Sequence, residues 1–181
     1  ALASATEFLS SRTSELKNDF DELKTELANF SSQSELVSPT ILKTQEIQLR
    51  DMRTRLMEKA EIIAKKSDRR TSLQSFIEAD NLLGLIKYVD DFRLNQAFSD
   101  YNSNKLSLDS LNMQIEQFML KDDVELKREQ KQSSALESSE SLLTKQIERQ
   151  SKELLVLQQL KREAETAGLL YESFFKRLQE M

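Results

Sequence analysis

Glycine and proline are almost absent from this chain. Only 2 glycines and 1 proline occur among its 181 residues, whereas average usage of about 7% and about 5% would give roughly 20 together. Because these residues supply most tight turns and helix breaks, the chain has few places to turn. Aromatic residues make up only 7% and charged residues 31%, so apolar burial must follow stripes along helices. The composition therefore favours long helices.

Cysteine and histidine are absent altogether. Their absence excludes disulfides, thiolate zinc sites, Ser-His-Asp triads and Cys-His pairs. The chain also contains neither a glycine-rich phosphate loop nor a nucleophile elbow. Paired carboxylates at Asp90-Asp91 and Asp122-Asp123 lack a further acid or base at ligand spacing, so we expect them to cap helices. The sequence predicts no enzymatic activity, no cofactor and no metal site.

The net charge of −5 provides no overall attraction to nucleic acid. No apolar run approaches the roughly 20 residues of a membrane helix, and no signal peptide is visible. The opening residues, "ALASATEFL", already have helical character, so we expect the chain to be a piece of a longer protein.

The first 37 residues carry one sustained heptad pattern. Its positions alternate at spacings of four and three, which places them on one stripe of a helix, as in a coiled coil. They are Leu9, Thr13, Leu16, Phe20, Leu23, Leu27, Phe30, Ser34 and Val37. This pattern predicts a first helix over about residues 1–36.

Pro39, the single proline, separates the first helix from the second. Proline suits the first position of a helix, and Ser38 before it is a suitable N-cap. A second helix is predicted over about 39–65, with an apolar stripe formed by Leu42, Leu49, Met52, Leu56 and Ile63. The chain either reverses or bends at Pro39, and the polar residues before it favour a reversal.

The middle of the chain is less regular. "KKSDRRTS" at 65–72 is predicted to be a turn, and residues 72–92 to form short, more fully buried helices. The heptad pattern then returns, predicting a helix over 93–119. "LKDDVELK" at 120–127 is predicted to be the tip of a hairpin, because aspartates cap a following helix well.

The longest predicted helix covers about residues 128–180. A four-three alternation runs through it, and Gly168 lies on the stripe, where it allows a close approach by a neighbour. On a helix Phe174 cannot share the stripe with its neighbour Phe175, so this end of the chain packs on more than one neighbour, with the first helix or with another subunit. The expected contact residues are Leu154, Leu157, Gly168, Tyr171, Phe174, Phe175 and Leu178.

Basic residues are concentrated in one block. Residues 37–75 hold 9 bases and 5 acids, a net charge of +4, whereas residues 76–124 hold 4 bases and 9 acids. The block ends in Lys65, Lys66, Arg69 and Arg70. These cations form a candidate contact patch for an acidic polymer or a neighbouring subunit. The simpler interpretation is a solvated helix end whose cations offset the helix dipole.

Together these patterns predict an all-α fold, an extended antiparallel coiled-coil hairpin or bundle of long helices forming one helical region. Rods of this kind bury only one stripe each and usually need partner chains, so we expect a homo-oligomer.

Two segments resemble a known family. "EAETAGLLYESFFKRLQE" at 163–180 resembles the segment that leads the second helical arm back toward the membrane in polysaccharide co-polymerases, the chain-length determinants of bacterial exopolysaccharide export. "ATEFLSSRTSELKNDFDELKTELANFSSQSELVSP" at 5–39 is similar to the first periplasmic arm of that family, and "QEIQLRDMRTRLMEKA" to its continuation. The nearest branch looks like the succinoglycan and xanthan type, related to bacterial tyrosine autokinases. Residues 70–130 share only the pattern.

The resemblance implies a non-catalytic periplasmic segment of an inner-membrane protein, whose membrane helices lie outside this chain. Such proteins assemble into rings, cooperate with the polymerase and export machinery, and control polymer length without forming glycosidic bonds. A kinase would lie elsewhere in the protein or in a partner. Two alternatives remain open: the helical hairpin of a periplasmic adaptor in secretion or efflux, and a coiled-coil scaffold or tether.

Overall fold

The computed structural model describes residues 2–34 and 38–181. Throughout this part of the chain the regular elements are α-helices, so the predicted all-α fold class is confirmed. In chain order the helices are α1 (Leu2–Gln33), α2 (Pro39–Glu78), α3 (Leu82–Val89), α4 (Phe92–Asn102) and α5 (Leu108–Gln179).

The chain divides into two units. The first contains residues 2–34, 38–49 and 142–181 of the described chain, and the second contains residues 50–141. Helices α2 and α5 contribute residues to both units.

Helix α1 follows the predicted heptad stripe. Thr13 and Leu16 are buried, and the other residues of α1 that are shielded from solvent are half-buried and lie on the same stripe. The stripe contains Leu9, Thr13, Leu16, Phe20, Leu23, Leu27 and Phe30, followed by Ser34 just beyond the helix. All remaining residues of α1 are exposed. Val37, the last predicted stripe position, lies outside the described residues, as do residues 35 and 36 of the predicted first helix.

Pro39 is the first residue of α2, as predicted. Ser38 caps the helix: the Ile41 amide donates to its hydroxyl oxygen over 3.2 Å, and the Leu42 amide donates to its carbonyl oxygen over 3.0 Å. Whether the chain reverses or bends here involves residues 35–37, which lie outside the described residues.

The predicted end of the second helix near residue 65 is wrong, and so is the predicted turn at 65–72. Helix α2 continues to Glu78. Lysine and arginine are good helix formers, and the segment contains neither glycine nor proline to stop the helix. The four-three stripe also continues through it, but Lys59 and Lys66 occupy stripe positions that are apolar elsewhere.

The predicted short helices at 72–92 are found further along the chain, as α3 and α4. Asn81 caps α3 by accepting a hydrogen bond from the Gly84 amide over 2.9 Å. Asp91 caps α4 by accepting from the Leu94 amide over 3.1 Å, and Asp90 forms the left-handed C-cap of α3. The prediction that Asp90 and Asp91 cap helices is therefore confirmed.

The predicted single helix over 93–119 is two helices. Helix α4 ends at Asn102, the backbone of Asn104 has a positive φ of 62°, and α5 begins at Leu108. Ser107 caps α5, because its hydroxyl oxygen accepts a hydrogen bond from the Ser110 amide over 3.2 Å. Asparagine tolerates the left-handed conformation, which ends the helix here without glycine.

The predicted hairpin tip at 120–127 is also wrong, as is a last helix beginning near 128. Residues 120–127 lie inside α5, which runs for 72 residues from Leu108 to Gln179. Asp122 and Asp123 are therefore mid-helix residues that cannot serve as N-caps. The chain instead turns back between α2 and α5, through the segment that holds α3 and α4.

The second unit has an apolar core to which four helices contribute. Leu73 of α2, Leu85 of α3, Leu94 of α4 and Leu111 of α5 belong to it. Its buried members are Leu73, Leu85, Ile86, Leu94, Ala97, Leu111 and Ile115. This core fixes the place where the chain reverses, because α3 and α4 bury their apolar faces between the ends of the two long helices.

Candidate functional site

Charged side chains of α2 and α5 pair along most of the second unit. Their nitrogen–oxygen distances lie between 2.7 and 3.2 Å. The pairs are Arg53–Glu140, Lys59–Glu129, Lys66–Glu125, Arg69–Asp122 and Arg70–Asp123. We call this set the ionic ladder. Residue numbers rise along α2 while they fall along α5, so the two helices run antiparallel in this unit.

Lys59 makes the shortest contacts of the ionic ladder. Its Nζ donates to Glu129 Oε2 over 2.7 Å and to Gln132 Oε1 over 2.6 Å. The hydrogen bond from Lys59 lowers the pKa of Glu129 below its ordinary value; partial desolvation opposes this, and the charges of Lys59, Arg128 and Lys66 add to it. Glu129 is therefore held ionised at neutral pH, with its charge matched inside the seam.

Arg69 is held by both a carboxylate and a ring. Its Nε lies 3.0 Å from Asp122 Oδ2, although the N–H is not aligned for a hydrogen bond, so the contact is an ion pair. The guanidinium carbon also lies 5.1 Å from the centre of the Phe118 ring, a distance at which cation–π attraction operates. The neighbouring Arg70 pairs with Asp123 over 3.1 Å.

The predicted basic contact patch is thus largely engaged within the chain. Lys66, Arg69 and Arg70 face acids of α5. Lys65 lies 3.5 Å from Glu61, one turn earlier on the same helix, and both side chains are well exposed. Antiparallel pairing places acids of 122–125 opposite three of these cations, and a contact of the patch with an acidic polymer or a neighbouring subunit stays a prediction.

In the first unit, Gly168 provides the close approach that its stripe position predicted. A Cβ placed on Gly168 would lie 2.9 Å from Cε2 of the Phe20 ring. The neighbour is therefore a side chain of α1 that packs onto the glycine of α5. Ala164, one turn earlier, is buried, so small residues line this contact.

Six of the seven predicted contact residues are half-buried. They are Leu154, Leu157, Gly168, Tyr171, Phe174 and Leu178. Gln150 is also in the seam and is only 5% exposed. A buried polar residue in a coiled-coil seam can fix the register of the helices at some cost in stability.

The two adjacent phenylalanines exchange their expected places. Phe174 is half-buried, whereas Phe175 is 40% exposed. Phe175 packs on Tyr171 one turn earlier, with ring centres 5.8 Å apart, and Arg177 lies over the Phe174 ring at 5.8 Å. The stripe thus steps from Tyr171 to Phe174 and Leu178. The expectation that Phe175 follows the stripe while Phe174 faces away is therefore corrected.

Helix α5 also carries large apolar side chains that are exposed in the described part of the first unit. Leu155 and Leu169 are more than 60% exposed, and Val156 and Leu170 more than 40%. Sequence reasoning placed the contact residues on the seam and missed this set. The available signal was that "LLVL" and "GLLY" hold more apolar residues than one stripe can accommodate.

No group of three or more carboxylates among the described residues is placed to hold a metal ion. Nor does any helix in that part of the chain have an apolar stretch long enough to cross a bilayer. No protein-family model, no curated protein and no solved structure matches the chain.

Proposed function

We propose that this chain is a non-catalytic periplasmic segment of a bacterial polysaccharide co-polymerase, which controls the length and export of an exopolysaccharide by forming part of a ring of identical subunits. The proposal rests on the two segments that carry the family resemblance, 5–39 and 163–180. These segments pack together in the first unit, where Phe20 lies on Gly168. Two distant pieces of sequence that resemble two arms of one family are therefore neighbours here.

The arrangement of charge supports a structural role. The ionic ladder matches the cations of α2 with acids of α5, so the long helices hold each other in one register. Apolar residues such as Leu155 and Leu169 remain exposed on α5. Exposed large apolar residues rimmed by polar ones are typical of protein interfaces. A second copy of the chain is the partner we propose for them, and the size of the resulting ring would set polymer length.

The test uses the full-length protein in a polysaccharide-producing bacterium. Tyr171→Asp and Phe175→Asp introduce a charge at the seam and beside it. We expect both to reduce subunit cross-linking in membranes and to shift the polymer length profile. Thr166→Asp, at an exposed polar position of the same helix, is the matched control and should leave both unchanged. Unaltered assembly and polymer length in both aspartate variants would count against the proposal.

The sequence on either side of the chain gives an independent test. Membrane helices on both sides would support the co-polymerase proposal. Lipoyl-like β-strands would favour the adaptor hairpin of a secretion or efflux system instead, because that hairpin is inserted between such strands. Neither feature would be expected around a coiled-coil scaffold or tether.

A further inference from the structure

A polar groove lies in the second unit where the start of α4 meets α5. Its volume is about 610 Å³. Gln114, Gln117 and Lys121 line it from α5, and spacings of three and four place them on one face of that helix. Arg93 lines it from the first turn of α4.

The acids at the edge of this groove are already engaged. Asp91 accepts the hydrogen bond that caps α4, Asp122 pairs with Arg69, and Glu125 pairs with Lys66. The cations and amides of the groove are not engaged in this way. Within the described residues no side-chain hydrogen bond or ion pair is formed by Arg93, Lys121, Gln114 or Gln117. The groove therefore presents two cations and two amides without side-chain partners, beside the capping carboxylate of Asp91.

Leu94 and Phe118 also line the groove. Leu94 is almost fully buried and Arg69 already lies over the Phe118 ring, so these two residues leave little apolar surface for a ligand. A sugar would therefore bind here through its polar groups, beginning with hydroxyl groups that hydrogen-bond to the amides. A carboxylate on the sugar would meet Arg93 and Lys121 through charge-assisted hydrogen bonds, which are the stronger ones.

We propose that this groove binds a uronic-acid-containing oligosaccharide. The inference rests on the proposed function and supplies the chemical class of polymer that the protein contacts. Densely charged phosphates fit the groove less well, because Asp91 occupies the N-terminus of α4 and Asp122 and Glu125 border the site. A uronate carries one charge for each sugar, together with hydroxyl groups that can donate hydrogen bonds to the bordering carboxylates.

The groove also relocates the expected contact with an anionic polysaccharide. Lys66, Arg69 and Arg70, which the sequence suggested for it, are paired with acids of α5. Arg93 and Lys121 lie in a stretch of sequence that contains more acids than bases, and the sequence pattern did not indicate them as contact residues. Their importance follows from the fold, which brings them to the two sides of one groove.

Binding can be measured by titrating the 181-residue chain with hexagalacturonate and following backbone amide resonances. We expect shifts at residues 91–94 and 114–121, and about tenfold weaker binding in Arg93→Gln and Lys121→Gln, as for the loss of one charge-assisted contact. Lys127→Gln, an exposed cation on α5 outside the groove, is the matched control and should bind like the wild type. Maltohexaose, which has no carboxylate, should bind at least about tenfold more weakly.

If Lys127→Gln weakened hexagalacturonate binding as much as Arg93→Gln and Lys121→Gln do, the probe would be responding only to overall charge. That result would overturn the proposal. Absence of shifts at the groove, or equal affinity for maltohexaose, would overturn it as well. The co-polymerase proposal is judged separately, by polymer length in the Phe175→Asp strain. Hexagalacturonate could therefore fail to bind while the proposed function stands, or bind at the groove while that function falls.

Discussion

Asp80, Asp90 and Asn104 take the backbone conformations that glycine usually takes. Their φ angles are 53°, 50° and 62°, and aspartate and asparagine are the residues other than glycine that most readily adopt this left-handed region. At these three described positions, a chain with 2 glycines thus uses short polar side chains in place of glycine. Gly168 is retained for a different reason, since its missing side chain makes room for Phe20.

Replacing Gly168 with alanine should reveal this contact through a double-mutant cycle. The new Cβ would crowd the Phe20 ring, and overpacking typically costs about 1–3 kcal/mol. We therefore expect Gly168→Ala to leave the free energy of unfolding unchanged or lower. In a Phe20→Ala background the same change should raise it by up to about 1 kcal/mol, the gain in helix propensity. Urea denaturation of the wild type, the two single variants and the double variant measures the coupling between Gly168 and Phe20. Purely additive effects on the free energy of unfolding would contradict the contact.

Glu129 should make stability depend on pH. Its pKa is lowered in the folded chain, chiefly by the hydrogen bond from Lys59. Such a group contributes stability that is fully present above its unfolded pKa of about 4.5 and is lost as pH falls through its lower folded pKa. The melting temperature of the wild type should therefore exceed that of Glu129→Gln near neutral pH, and the difference should shrink below about pH 4.5.

Thermal melts of both chains between neutral and acid pH measure this difference. Glu137→Gln, which removes an exposed acid of the same helix, is the control and should follow the wild type at every pH. If the difference in melting temperature between the wild type and Glu129→Gln stays constant down to acid pH, the Lys59–Glu129 contact is not the origin of that difference.

Among the elements, α2 and α5 illustrate how a charged stretch continues a helical seam. Lys59 and Lys66 hold stripe positions of α2, and Glu129 and Glu125 are half-buried positions of α5. Each cation is neutralised by an acid across the seam, so neither helix has to end. The segments that looked like a turn and a tip are joined by three ion pairs of the ionic ladder.

Exchanging the charges of one ion pair of the ionic ladder, Arg70–Asp123, should distinguish the effect of that pair from a general effect of charge on stability. Arg70→Glu places two acids opposite each other and should lower stability by up to about 1 kcal/mol, the upper range for partly exposed pairs. Asp123→Lys added to it restores an opposite-charge pair and should recover most of the loss. Denaturation at low and at high salt measures both effects, which should shrink as salt screens them.

Lys127→Glu provides the comparison for this exchange. It changes the charge by the same amount on the exposed side of α5 and should lower the free energy of unfolding only slightly. If Asp123→Lys fails to rescue Arg70→Glu at low salt, the two residues are not coupled, and the antiparallel register inferred from the ionic ladder would need revision.

At the scale of the whole molecule, the stabilising interactions of the two units differ in kind. The second unit has an apolar core with contributions from four helices, including fully buried Leu111. The first unit is held by a heptad stripe and by small residues under Phe20. Apolar burial is therefore concentrated in the second unit, where α3 and α4 add faces that long helices alone do not provide.

Leu111→Ala should weaken the second unit specifically. Truncating a buried leucine to alanine typically costs about 2–5 kcal/mol. We expect faster hydrogen exchange at amides of residues 73–115 and little change in α1. Leu120→Ala, at a 65% exposed position of the same helix, should change exchange only slightly. Equal acceleration in α1 and in residues 73–115 would mean that the two units unfold together.

The sequence by itself determined the helical character, the stripe of α1 and the caps at Ser38, Asp90 and Asp91. These features depend on local rules: scarcity of glycine and proline, heptad spacing, and side chains that bond to nearby amides. Each rule acts within a few residues, so it can be applied along the printed sequence without knowing what lies opposite.

Only the tertiary structure decided where the helices end and which charges pair. Residues 65–72 and 120–127 appear polar enough to leave a helix, and they stay helical because each lies opposite the other's charges. Arg93 and Lys121 come to one groove for another reason, because the apolar core of the second unit packs α4 against α5. Attraction between charges depends on distance in space, and Arg70 and Asp123, which lie far apart in sequence, acquire that proximity only when the chain has folded.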